Sequence, residues 1–177
     1  AYSAMSGSGD GIASGFEHNG MYYARPDGRV ISLPHDMDYG WNTGLSIWSN
    51  PECSKLTQDG RRRRIYLGHL HDIINTTWNQ GYLNPWRSHF NSLDPAGYWN
   101  STLSYMNSRA ASVLSQINSS IPPVTFSITT SNPLTIDGSA ATISGEGWVN
   151  VRSIRLAGSS TPLAVNWTDG NSWQVTI

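Results

Sequence analysis

Asp36 and Asp38 stand two residues apart in Leu33-Pro34-His35-Asp36-Met37-Asp38-Tyr39-Gly40, directly behind the apolar run Val30-Ile31-Ser32-Leu33. In an extended backbone, side chains at i and i+2 leave the same face. The spacing therefore delivers two carboxylates to one point, where they can hold a hard cation such as Mg²⁺ or Mn²⁺. The competing reading is a solvated turn with two exposed acids. Three other polar residues could join a site of this kind. Asp10 lies in a glycine-rich stretch, and His18-Asn19 precede the first apolar run. Asn supplies a neutral oxygen ligand, and a free carboxylate can orient a hydroxyl and take its proton. Taken alone, these residues read more simply as a loop acid, a turn and a strand cap.

Two further groups carry possible chemistry. Arg61-Arg62-Arg63-Arg64 could receive phosphate or an acidic substrate, although such a run is more often solvated or paired with acids at a helix start. Trp41, Trp48, Trp78, Trp86 and Trp99 could form a stacking surface for sugars or bases, with Trp78 and Trp86 read as core packing because they fall on apolar helix faces. Cys53 is the sole cysteine, which leaves no internal disulfide and no cysteine pattern for structural zinc. With 11 basic residues against 12 acids the charge gives no general nucleic-acid surface. No stretch approaches the length of a membrane span, so neither nucleic acid nor direct membrane insertion is expected.

The elements that must position these groups fall into two regions. Residues 1–122 begin with a flexible glycine-rich start. A β-hairpin follows from Met21 to Ala24 and from Arg29 to Leu33, turned by Pro26-Asp27-Gly28. Tyr39 to Gly60 shows no sustained period and reads as a long irregular segment. Apolar residues at helical spacing predict a helix over about 63–78. A second is expected to start at Asn84-Pro85 as cap and first-turn proline, and a third runs through Leu103 to Ile117 and stops before Pro122-Pro123. From residue 123 to 177 the pattern changes to short β-branched runs between Gly, Asn, Asp and Ser. That pattern predicts an antiparallel β-sandwich module, immunoglobulin-like and small or truncated. The fold class is therefore α+β.

As one unit, "HNGMYYARPDGRVISLPHDMDYG" resembles the spore-coat-kinase-like (CotH) family, whose members have an atypical protein-kinase fold. "RRRRIYLGHLHDIINTTWNQGYLNPW" and "YMNSRAASVLSQI" are similar to the helical C-terminal part of that family. The resemblance covers roughly residues 7 to 120. It implies that Asp36 is the Mg²⁺ ligand, that Asp38 is a second ligand or organiser, that Asp10 is the general base, and that Asn19 neighbours the metal and nucleotide. It also implies ATP as cofactor in the intact domain, phosphorylation of protein hydroxyls, and a bacterial secreted or cell-envelope location. Phosphoryl transfer runs on charge neutralisation and in-line positioning, which this grouping would serve. Only nine residues precede Asp10, so the nucleotide-covering lobe is expected upstream or in a partner chain, and these 177 residues are expected to be inactive alone. His35 departs from the aromatic that family members often carry there. The alternative is a non-catalytic extracellular module that binds carbohydrate or protein through its tryptophans and its β-rich part.

Overall fold

The computed structural model describes residues 1–15, 20–33, 35, 40–93, 97–135 and 138–177. They form a mixed α+β structure with small antiparallel sheets, divided into two compact units that are not simple halves of the sequence. The first comprises Ala1–Lys55 and Asp72–Gln116, the second Leu56–His71 and Ile117–Ile177. Among the described residues no helix is long and apolar enough to cross a membrane.

The first unit opens with helix α1 (Tyr2–Ser6), closed by Gly7 at φ 61°. The glycine-rich start is therefore not the loose segment its composition suggests. Ala4 and Met5 are fully buried, and Ser6, Ser8 and Asp10 are buried with them. Strands β1 (Met21–Ala24) and β2 (Val30–Leu33) pair antiparallel with Met21 opposite Leu33 and Ala24 opposite Val30. The Asp27 carboxylate accepts the Arg29 amide across the turn at 3.1 Å. Every residue of both strands is exposed, including Met21, Tyr22, Tyr23, Val30, Ile31 and Leu33.

Three helices start on side-chain caps. Asn50 takes the amides of Glu52 and Cys53 at the start of α2 (Pro51–Leu56). Asp59 takes the Arg62 amide at the start of α3 (Gly60–Thr76). Asn79 takes the Tyr82 amide at the start of α4 (Gln80–Leu93). Each satisfies an amide that has no partner inside its helix. The last of these corrects the expected start at Asn84-Pro85. Asn79 caps earlier, and Pro85 sits inside the helix, where it has no N–H to give the Gly81 carbonyl four positions back. Helix α5 (Tyr98–Ser120) is the longest, and its Leu103 and Val113 are buried in the first unit.

Among its described residues the second unit holds a four-stranded antiparallel sheet. Strands β3 (Ser127–Ile128), β4 (Thr142–Glu146), β5 (Asn166–Trp167) and β6 (Ser172–Thr176) lie in the order β3-β4-β6-β5. Strand β6 alternates, with Trp173 and Val175 buried between more exposed Ser172, Gln174 and Thr176, and Trp173 stacks on Phe126 at 5.7 Å. The run "VNVRSIRLAG", which reads as a strand, forms none. The buried guanidinium of Arg64 explains part of this. It donates to the carbonyls of Gly147, Trp148, Val151 and Gly170 at 2.7–2.8 Å, so three acceptors at this place serve a side chain.

Candidate functional site

The most developed site in the first unit forms around Asp10, and its construction begins with α1. Ser3 Oγ accepts the Ala13 amide at 3.2 Å, and Asn50 Nδ2 donates to the Ile12 carbonyl at 2.6 Å. The segment 8–14 is thus held from α1 on one side and from the cap of α2 on the other. Ser8, 1% exposed, donates its hydroxyl to Asp10 Oδ1 at 2.9 Å, and Asp10 itself is only 8% exposed. A carboxylate this buried needs such partners, because taking its charge out of water is otherwise costly.

Asp10 lies on the wall of a cavity of about 310 Å³. Ser3, Ser8, Tyr22, Ser32 and His35 share that wall, together with Gly20 and Leu33. The hairpin register explains the convergence, since Tyr22 pairs with Ser32 and Met21 with Leu33. One end of the hairpin is therefore brought to the Asp10 segment. The polar groups on the wall are a carboxylate, hydroxyls and an imidazole. Oxygen ligands of this kind suit a hard cation better than a soft metal, and a phosphate could approach the carboxylate only with such a cation between them.

Of the expected site residues, Asp10 is placed on this cavity. Asn19, Asp36 and Asp38 lie outside the described residues, as does His18. Their chain neighbours Gly20 and His35 line the same cavity as Asp10. Among the described residues no three His, Cys, Asp or Glu side chains group to hold a metal, so a cation here would need the carboxylates of the undescribed stretch. Reading the sequence missed Ser3, Ser8 and Ser32. Serine is abundant throughout this chain, and nothing local marks the ones that fold against an acid.

The other candidate groups resolve differently. Arg64 is buried, and its guanidinium lies 3.2 Å over the Trp167 ring. It is a packing anchor of the second unit. Burial, and then the neighbouring Arg152, pull its pKa down to about 10, so it remains charged at neutral pH. Arg63 Nε donates to the Thr57 carbonyl at 3.0 Å, while Arg61 and Arg62 are exposed. Trp78 packs as expected, donating its indole N–H to the Met106 carbonyl at 2.9 Å. Trp86, expected in the core, is 49% exposed and stacks on Phe90, which stacks in turn on Trp99 at 4.6 Å. Trp41 is also half-exposed, at φ 75°, edge-on to Tyr105 at 5.1 Å. No protein-family model matches this chain, and no curated protein or solved structure is significantly similar to it.

Proposed function

We propose that the first unit is the metal- and nucleotide-facing part of an atypical protein kinase of the spore-coat-kinase-like class. In this reading it is the C-terminal part of the kinase-like domain, followed by an immunoglobulin-like β-sandwich module. The observation that carries the proposal is the cavity where Asp10, buried and fixed by Ser8, meets the end of the hairpin and His35. In this reading Asp10 accepts the proton of a protein hydroxyl, and the Ser8 bond keeps its carboxylate from swinging off that line. Asp36 and Asp38 would hold Mg²⁺ or Mn²⁺ beside it, with Asn19 as a neighbour. The cation would neutralise charge on the ATP phosphates. The fully exposed apolar hairpin supports a further part of the reading. A nucleotide-covering lobe, from elsewhere in the polypeptide or from a partner, would lie over it and complete the closed, water-poor site that transfer needs. The acceptors would be proteins of the bacterial envelope or exterior. Without that lobe these residues would not turn over ATP.

Calorimetric titration with Mn²⁺ tests the reading. The wild-type chain should bind weakly, at about millimolar strength for a few-ligand oxygen site. Asp36→Asn should abolish binding, Asp38→Asn should weaken it less, and Asp10→Asn should leave it nearly unchanged. Undiminished affinity in Asp36→Asn would overturn the metal assignment. A radiolabelled-phosphate assay on the same chain should detect no transfer.

A second reading, a non-catalytic carbohydrate- or protein-binding module, draws on the exposed faces of Trp41 and Trp86. Glycan binding that survives chelation and Asp36→Ala, but is lost on Trp86→Ala, would favour it.

A further inference from the structure

We draw no further inference here: the strongest candidate, the exposed aromatic patch that Trp86 of α4 forms with Phe90 and Trp99 in the first unit, carries nothing because nothing in the structure shows what covers it.

Discussion

Arg109 is fully buried. Its guanidinium donates to the carbonyls of Thr43 and Leu45 at 2.7 Å and to that of Ala4. One side chain on α5 therefore satisfies acceptors from α1 and from the 43–45 loop, much as Arg64 does in the second unit. Tyr105, one turn earlier, donates its phenol to the Ser6 carbonyl at 2.8 Å. Burial holds that phenol above its ordinary pKa, with Arg109 opposing, so the donor proton is kept. Replacing Arg109 by Met should strand the buried Ala4 carbonyl and the partly buried ones of Thr43 and Leu45, and destabilise the chain by about 3 kcal/mol. Arg109→Lys should recover only part of this, because a point-like ammonium cannot span the three acceptors. Urea denaturation of both variants checks it, and equal stability of Lys and wild type would refute the fork argument.

At the scale of elements, α1 is too short to persist alone and depends on how it ends. Gly7 turns the chain at φ 61°, and a Cβ there would strike the Asn42 carbonyl and the Tyr105 hydroxyl. The tight approach lets the amides of Trp41 and Asn42 reach the carbonyls of Ser6 and Gly7 at 3.1 and 3.2 Å. Trp41 accepts a left-handed backbone as the consequence, a strain of about 1–3 kcal/mol that the surrounding bonds must hold. Gly28 has a similar φ of 78° but open space around its Cβ position. Gly28→Ala should therefore cost only the left-handed penalty of about 1 kcal/mol, while Gly7→Ala should cost clearly more. Thermal midpoints of the two variants separate conformation from collision, and a Gly7→Ala no worse than Gly28→Ala would show that the loop simply gives way.

Over the whole molecule, acid stability should carry the mark of Asp169. The amides of Ser172 and then Asn171 hold its carboxyl below its usual value of 3.8. A folded-state pKa depressed in this way contributes stability that is present above the unfolded value and lost as pH falls through the folded one. Wild type should therefore be more stable than Asp169→Asn above the unfolded value of 3.8, and the gap should close as pH falls through the lowered folded-state value. Melting curves across that window test the assignment, since a gap that persists in acid would mean the loop geometry, and not the charge, sets the difference.

The helices of residues 60–120, the hairpin and its Pro26-Asp27-Gly28 turn were legible because their signals are local. Apolar spacing and turn chemistry act within a few residues of themselves. So was Asp10 as a candidate, although its burial was not. Composition read the first fifteen residues as loose, and contacts remote in sequence, from α5, Trp41, Asn42 and the Asn50 cap of α2, hold them. The start of α4 was misplaced because Asn79 and Asn84-Pro85 both offer a cap, and local chemistry does not rank them. "VNVRSIRLAG" has the residues of a strand, but Arg64 takes its Val151 carbonyl together with those of Gly147 and Trp148 just before it. Sequence alone determined which residue types could do chemistry here. The tertiary structure decided which serines stand beside Asp10 and which carbonyls Arg64 and Arg109 take, because a hydrogen bond depends on distance in space, and folding sets that distance between residues dozens of positions apart.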